Sequence, residues 1–488
     1  MARSSSARPE MKRGWPGYRT IWRWHFYAGV FCIPFVLLLS LTGMIYLFKP
    51  QIDDLIDWRY EHLAVAAHVA GPTAETRVAL AAVPGSTLLA YELPRTTHSA
   101  ARVIVLRHGE AIRVYVDPAR LAVLKTVPEE WRFERIVFNL HGQLLLGNAG
   151  SLMVELVASW TIVMLLTGLC LWWPRPSAGR SGAAGLLYPR LRSSGRVFWR
   201  DLHGVSALWA SMFTLFLLIS GLPWAYGWGN YLRVIRSISS VSSGSPAGSA
   251  DWQVGHVPAR DQIAVASPPA AGSMPDMPEM GGMAAPAVPA AVLPAKALDR
   301  IVATLRPLDL AYPVLVTPPG PRSSIWTARS DAENRLRRTT ITLSADGRIL
   351  RRADFGQKPL LDRIIGIGVT AHEGRLFGWA NVVLNAFTAL SMILVSVTAM
   401  TMWLGRRPRR SLGAPVILAP RLLTGAFLLL VLALALALPL FGLSVVLVAL
   451  VERLLLRRTR RLGPWLGLDG SGKEAIIGLR EPSRPSAD

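Results

Sequence analysis

Residues 21–48 read IWRWHFYAGVFCIPFVLLLSLTGMIYLF, and this stretch decides the class of fold. A helix needs about 20 predominantly apolar residues to cross a bilayer, and the stretch exceeds that length with one basic residue, Arg23, near its start. It is too long for the apolar part of a signal peptide, and no small-residue cleavage site follows it promptly. It therefore predicts a membrane-spanning helix.

Further apolar stretches predict a polytopic protein, in agreement with a mean hydropathy of +0.34. Three more meet the length of a single span: Leu152–Trp173, Leu202–Trp224 and Trp379–Leu404. A fifth, Leu422–Leu456, is too long for one span and has Pro439 and Gly442 near its middle. We predict that it forms a tight hairpin of two helices.

The basic residues indicate how these helices are oriented. The formal net charge is +22 although only 17% of the residues are charged. Lys and Arg crowd the N-terminus and the segments after the second span, the fourth span and the hairpin, and such segments stay in the cytoplasm. We therefore predict an inner-membrane protein with both termini cytoplasmic. Because the charge flanks apolar segments, nucleic acid is not expected as a partner.

Two long regions, 49–135 and 227–360, are then periplasmic. Each contains runs of alternating apolar residues bounded by turn residues, as strands do. The runs are Arg102–Leu106, Ile112–Val116, Arg338–Leu343 and Ile349–Ala353. Each region is predicted to form a small α+β module. Residues 237–294 are rich in Ser, Gly, Pro, Ala and Met, which predicts a disordered insertion.

The predicted fold class is an all-α polytopic membrane bundle with two small α+β periplasmic modules. Its parts are the N-terminus (1–19), span one (20–48), module one (49–135), an outer histidine segment with span two (136–173), a basic loop (174–198), span three (199–226), module two with its insertion (227–360), an outer histidine segment with span four (361–404), a basic loop (405–420), the hairpin (421–456) and the tail (457–488).

The chain is internally duplicated. Spans one and three share a spacing of 18 residues between His25 and Gly43 and between His203 and Gly221, and a Trp-Arg pair precedes each histidine. Both copies then have the same orientation in the membrane, as in parallel repeats.

Spans two and four repeat a second pattern. His141 and His372 are each followed by Gly six residues later, by Trp 31 residues later and by Arg 34 residues later. An unbroken helix from His141 to Trp172 would be about 46 Å long at 1.5 Å per residue. We therefore predict a break near Gly147–Gly150.

The duplication brings four of the nine histidines to matching positions. His25 and His203 lie just inside the cytoplasmic ends of spans one and three, and His141 and His372 precede spans two and four on the periplasmic side. Ionisable residues at membrane depth are costly and point to function, and neutral imidazole is a good axial ligand for haem iron. The pattern predicts two b-type haems, each between one pair of histidines.

Small residues beside the inner histidines favour a flat macrocycle, although they also suit helix packing in membranes. One helical stripe on each span carries them: His25, Gly29, Cys32, Val36, Ser40 and Gly43; and His203, Ala207, Ala210, Thr214, Leu218 and Gly221. Since Cys32 and Cys170 are the only cysteines and no Cys-x-x-Cys-His occurs, covalent haem attachment is excluded.

Basic residues near the histidines are candidate partners for haem propionates. Arg23 and Arg200 are placed for the inner haem, and Arg135, Arg363 and Arg375 for the outer one. The alternative is that the histidines are only interfacial or capping residues. The helices would then anchor a non-catalytic binding or regulatory module.

These motifs resemble those of the PepSY-associated transmembrane family over about residues 18–407. The resemblance is carried by Trp24–Gly29, Leu41–Gly43, Val116–Pro118, Leu140–Gly142, Leu144–Gly147, Asp201–Gly204 and Ala371–Gly374. The family includes inner-membrane ferric-siderophore reductases, in which membrane histidines bind haem. The resemblance implies this role for His25, His141, His203 and His372.

The leading hypothesis is a di-haem reductase that takes electrons from a cytoplasmic donor or from quinone. It would reduce a periplasmic ferric siderophore or another metal chelate, and so release the metal. A membrane-anchored PepSY binding module is the second hypothesis, and metal transport ranks last because polar residues near mid-span are few.

One motif within the insertion points to another metal. Met274, Met277, Met280 and Met283 recur every third residue, so a polyproline II helix would align their thioethers on one face. Thioethers select soft ions such as Cu(I). A low-complexity linker with incidental methionines is the alternative reading.

Overall fold

The computed structural model describes residues 13–65, 68–173, 184–243, 254–264, 296–320, 323–415, 422–459 and 461–467. The chain divides into two compact units. The helical unit comprises residues 1–41, 152–228 and 386–488, and the sheet unit comprises residues 42–151 and 229–385.

Fifteen α-helices are assigned within the described residues. In chain order they are α1 (Tyr18–Leu47), α2 (Lys49–Ile56), α3 (Trp58–Glu61), α4 (Pro72–Ala82), α5 (Phe133–Gln143), α6 (Gly147–Trp172), α7 (Gly195–Gly221), α8 (Tyr226–Ser243), α9 (Ala259–Ala264), α10 (Ala297–Leu305), α11 (Leu360–His372), α12 (Trp379–Leu404), α13 (Gly425–Ala437), α14 (Pro439–Leu454) and α15 (Leu462–Leu466). Four of them, α1, α6, α7 and α12, are long and apolar enough to cross a membrane.

The long helices agree with the four spans predicted from the sequence. Their large side chains remain exposed in the protein, as for Leu41, Met212 and Val383, because an apolar surface on all sides suits a helix in lipid. The predicted break after His141 is confirmed, since α5 ends at Gln143 and α6 begins at Gly147. Leu144 and Leu145 adopt left-handed conformations in the connecting turn.

The strands form one large sheet and one short parallel pair. They are β1 (Arg13–Gly14), β2 (Thr87–Glu92), β3 (Ala101–Arg107), β4 (Glu110–Asp117), β5 (Ala122–Pro128), β6 (Val314–Thr317), β7 (Trp326–Ser330), β8 (Thr339–Leu343), β9 (Ile349–Asp354) and β10 (Leu422–Leu423). Eight of them form an antiparallel sheet in the order β5-β4-β3-β2-β6-β7-β8-β9, while β1 pairs with β10.

The sheet corrects two predictions. The fold is not an all-α bundle, because eight strands form a substantial second component. Regions 49–135 and 227–360 are also not two separate modules. Tyr91 of β2 pairs with Val316 of β6, and Glu92 pairs with Leu315, so both regions complete one sheet and lie on the same side of the membrane.

The core of the sheet unit lies between one face of this sheet and helices α4 and α10. Alternate strand residues point to one face, and Val103, Val114, Trp326 and Ile341 are fully buried there. The two helices meet where the amide of Thr73 donates to Asp299 at 3.0 Å. Each half of the sheet therefore has one helix and four strands, as the duplication predicts.

The predictions for the C-terminal hairpin and for the insertion 237–294 can also be compared with the structure. The apolar C-terminal stretch does fold as two helices, and Ala435 packs against Gly442 across the turn at Leu438. At 1.5 Å per residue they are about 20 and 24 Å long, short of a core of about 30 Å. The insertion 237–294 is not structureless throughout, because α9 and the end of α8 lie within it.

Candidate functional site

His25 on α1 is oriented by two groups of α6. Its Nδ1 lies 3.1 Å from the carbonyl oxygen of Met164 and 3.1 Å from Oγ1 of Thr167. Since a carbonyl oxygen only accepts, Nδ1 carries the hydrogen and Nε2 keeps its lone pair. Histidines that ligate metals are held in this way, with the other ring nitrogen donating to a carbonyl.

His203 on α7 has the same environment in the second copy. Its Nδ1 lies 3.0 Å from the carbonyl oxygen of Val395 and 3.2 Å from Oγ1 of Thr398, both on α12. Each inner histidine therefore presents Nε2 as the nitrogen that is able to bind a metal.

The two threonines were missed as functional residues by the sequence analysis, although a signal was present. Thr167 follows His141 by 26 residues, and Thr398 follows His372 by the same number. Each hydroxyl donates to a carbonyl one turn earlier in its own helix, Thr167 to Val163 at 2.9 Å and Thr398 to Leu394 at 2.8 Å. Because the hydroxyl hydrogen is used in this bond, each Oγ1 can accept a hydrogen bond from Nδ1–H of the histidine.

His141 and His372 form the outer pair within the sheet unit. Their ring centroids are 6.5 Å apart and the ring planes are inclined by 75°. The spacing is compatible with two ring nitrogens that share one metal ion, each about 2.0 Å from it.

Each outer histidine is positioned by a neighbouring helix. Nδ1 of His141 lies 3.0 Å from Oγ1 of Thr42 near the end of α1. His372 is the last residue of α11, and Asn385 of α12 donates to its carbonyl oxygen at 2.9 Å. Asn381 donates to the adjacent carbonyl of Ala371 at 3.0 Å. These side chains cap the C-terminus of α11 and fix the backbone from which the imidazole projects.

Two glycines make room for the imidazoles. A Cβ atom on Gly43 would lie 3.1 Å from Cε1 of His141, and one on Gly168 would lie 3.1 Å from Cε1 of His25. Gly43 belongs to the repeated spacing, so its role here is a close approach between helix backbone and histidine. Gly168 has no glycine counterpart, since Ala399 occupies the matching position.

Four of the five predicted propionate partners bind other groups of the protein. Arg23 donates to the carbonyl oxygens of Pro415 and Gly467. Arg200 binds the buried carboxylate of Asp201 at 2.7 Å. Arg375 donates to the carbonyl of Leu47 and pairs with Glu333 at 3.1 Å.

Arg135 likewise pairs with Glu130 at 3.0 Å, whereas Arg363 is exposed on α11. A role for any of these arginines toward propionates stays a prediction.

Charged residues at the outer end of α1 are mutually paired. The ammonium group of Lys49 lies 2.7 Å from Glu134 and 3.1 Å from Asp53, and Arg132 lies 2.8 Å from Glu134. Burial and the neighbouring Glu134 raise the pKa of Asp53 to about 7. Although burial opposes ionisation of Glu134, the charges of Arg132 and Lys49 hold its pKa below the usual range.

The other described histidines have different surroundings. His62 stacks on Trp58, and His98 bonds the carbonyl of Leu63. His108 occupies a tight turn with a positive φ. His256 is exposed and its Nδ1 lies 2.8 Å from Oε1 of Gln143. Its place beside the turn that follows His141 was not foreseen.

Across the described residues, no group of three or more His, Cys, Asp or Glu side chains is arranged to hold a metal ion. Among the four matched histidines, the rings of His141 and His372 lie next to each other. A pair supplies the two axial positions of a haem, whereas a protein-only zinc site needs at least three ligands. The methionines predicted to bind copper, Met274 to Met283, lie outside the described residues.

Comparison with known proteins agrees with the resemblance noted in the sequence. A family model described as the PepSY-associated TM region matches residues 22–406. This range begins just before His25 and ends just after α12. No curated protein matches the chain.

Proposed function

The chain belongs to the PepSY-associated transmembrane family, and from this premise we propose that it binds two b-type haems and transfers electrons across the inner membrane. The observation that carries the proposal is the spacing of 6.5 Å between the rings of His141 and His372. The hydrogen bonds that fix Nδ1 of His25 and His203 support the same role for the inner pair.

The protein residues have three tasks in this proposal. His25 and His203 hold one haem, and His141 and His372 hold the other, each through Nε2. Thr42, Thr167 and Thr398 keep the rings in the orientation and tautomer that ligation needs. Bound haem supplies one-electron chemistry, for which the protein provides ligation, orientation and burial.

The direction of transfer follows from the proposed topology. The basic segments favour cytoplasmic termini, so electrons enter near His25 and His203 from a cytoplasmic donor or from quinone. They leave near His141 and His372, on the side that carries the eight-stranded sheet. The family resemblance favours a ferric siderophore or a similar metal chelate as the acceptor. Its ferric ion gains one electron and becomes ferrous, which hard oxygen ligands hold less well.

The test is the visible spectrum of the purified protein, oxidised and then reduced with dithionite, with a pyridine haemochrome assay. We expect low-spin b-type bands at about two haems per chain, and about one in His372→Ala. His256→Ala is the matched control, because His256 lies on the same side, contacts Gln143 and is outside both pairs. A protein that stays colourless after haem supplementation during growth would refute the proposal and favour a membrane-anchored binding module.

A further inference from the structure

Two helices of the sheet unit, α8 and α11, expose apolar side chains although they are not membrane spans. α11 has thirteen residues and α8 has eighteen. α8 follows α7 in the chain after a short turn at Leu222–Trp224, and α11 precedes α12 by a six-residue connection. Each helix is therefore tied by covalent chain to one end of a span.

The exposed side chains of α11 form one stripe. Leu360, Ile364 and Ile367 are exposed at helical spacing, whereas Ile365 and Val369 on the opposite side are buried against the protein. A helix that buries one apolar face in the protein core normally turns a polar face outward. α11 is apolar on both faces, so its outer face needs a second apolar environment.

α8 carries a second exposed apolar stripe. Tyr231, Val234 and Ile235 are exposed with the i, i+3, i+4 spacing of one helix face. Nη2 of Arg236 on α8 lies 2.8 Å from Oδ2 of Asp362 on α11, and both side chains are largely buried. This ion pair joins the two helices that carry the stripes.

The residues around the stripes favour lipid as the occupant. Phe377 and Trp379 lie between α11 and the body of α12 and are strongly exposed, and aromatic side chains of this kind concentrate at membrane borders. Arg363 flanks the stripe of α11 and is exposed. A long basic side chain beside an apolar helix face is able to reach lipid phosphates.

We propose that α8 and α11 lie in the outer interface of the bilayer as a pair of interfacial helices, with their apolar stripes among the acyl chains. This inference is independent of haem binding. In this arrangement α11, which ends at His372, lies in the head-group layer. The depth of His372 in the membrane is then set by the lipid surface as well as by the four spans.

The test uses single spin labels on the full chain in liposomes of phosphatidylcholine and phosphatidylglycerol. The background is Cys170→Ser, which removes the exposed cysteine. Labels replace Ile364 and Val234, which are 57% and 56% exposed, and the control label replaces Leu350 of β9, which is 51% exposed. We expect oxygen to relax the labels at Ile364 and Val234 more than a water-soluble nickel chelate does, and the reverse at Leu350.

Two results would overturn the inference. In the first, the nickel chelate reaches the labels at Ile364 and Val234 as readily as the label at Leu350. This result would mean that the stripes face water. The other is dipolar broadening between labels at Ile364 that disappears on dilution with unlabelled chains, which would mean that a second copy covers them. If Ile364→Cys does not fold, the label at Val234 decides alone, since it lies on the other helix.

Discussion

The hydroxyl oxygen of Thr398 lies 3.2 Å from Nδ1 of His203, and Thr167 has the same relation to His25 at 3.1 Å. The duplication thus preserves the support of each inner histidine as well as the histidine itself. If the proposed haem is bound there, changing this support should alter its affinity, which leads to the first prediction.

Thr398→Val should weaken haem binding at the inner pair. Loss of a supporting hydrogen bond typically costs about 10–100-fold in metal affinity, and we expect the lower end because the carbonyl of Val395 still accepts from Nδ1. Haem titration of the apoprotein measures the effect. Thr398→Ser should restore binding, and Thr401→Val is the control because Thr401 bonds only Val397 of its own helix in the described contacts. Equal affinities in all three variants would contradict the prediction.

The two histidine pairs should act as separate sites. We expect His25→Ala and His141→Ala each to lower haem content from about two to about one per chain, because each removes one ligand of a different pair. The double variant should contain almost none. Pyridine haemochrome measurements on the three proteins decide the point. If either single variant loses both haems while its helical circular dichroism is intact, the sites are not independent.

Gly204 should not tolerate a methyl group. A Cβ atom there would lie 2.2 Å from Cζ3 of Trp172, and the indole of Trp172 is held by its hydrogen bond to the carbonyl of Leu186 at 3.2 Å. Gly204→Ala should therefore lower the free energy of unfolding by about 1–3 kcal/mol. Denaturation in detergent measures the change.

Gly142→Ala is the matched control for Gly204. Each glycine follows a histidine of the repeat within a helix, but nothing lies within 4 Å of the Cβ position of Gly142. Alanine should be neutral there or stabilise by up to about 1 kcal/mol. Equal losses in the two variants would show that the indole of Trp172 is free to move aside.

Glu75 should make the stability of the sheet unit depend on pH. Burial raises the pKa of this carboxyl to about 7, although its hydrogen bond with the hydroxyl of Tyr91 opposes the rise. The folded protein then binds a proton that the unfolded chain releases between about pH 4.5 and 7. Stability is highest below this window and falls by about 3 kcal/mol as the pH rises through it.

The measurement for Glu75 is hydrogen exchange of the β2 amides in the full chain at several pH values, corrected for intrinsic rates. Glu75→Gln should flatten the profile, because glutamine keeps a hydrogen-bonding group beside Tyr91 without the titration. Glu110→Gln is the control, since Glu110 is exposed at the start of β4. A profile that is unchanged in Glu75→Gln would assign the pH dependence to other groups.

The sequence was informative where the pattern is local or repeated. Apolar length predicted the four spans, and matched spacing singled out His141 and His372, whose ring centroids lie 6.5 Å apart. The pairing of Tyr91 with Val316 was not predictable in the same way, because strand partners far apart in sequence leave no local periodicity. The contacts of the arginines proposed as propionate partners could not be predicted from the sequence either. Proximity to a histidine in sequence does not reveal that Arg23 is bonded to the carbonyls of Pro415 and Gly467.

The shared sheet also constrains how the protein is made. β2 ends at Glu92 and β6 begins at Val314, with α6 and α7 between them. At about 5–20 residues per second, translation from one strand to the other takes roughly 10–45 s. During this time the edge of β2 has no partner, and open edges invite wrong pairing. The eight-stranded sheet is therefore complete only after the second repeat has been made, which makes the two duplicated halves one unit of biogenesis.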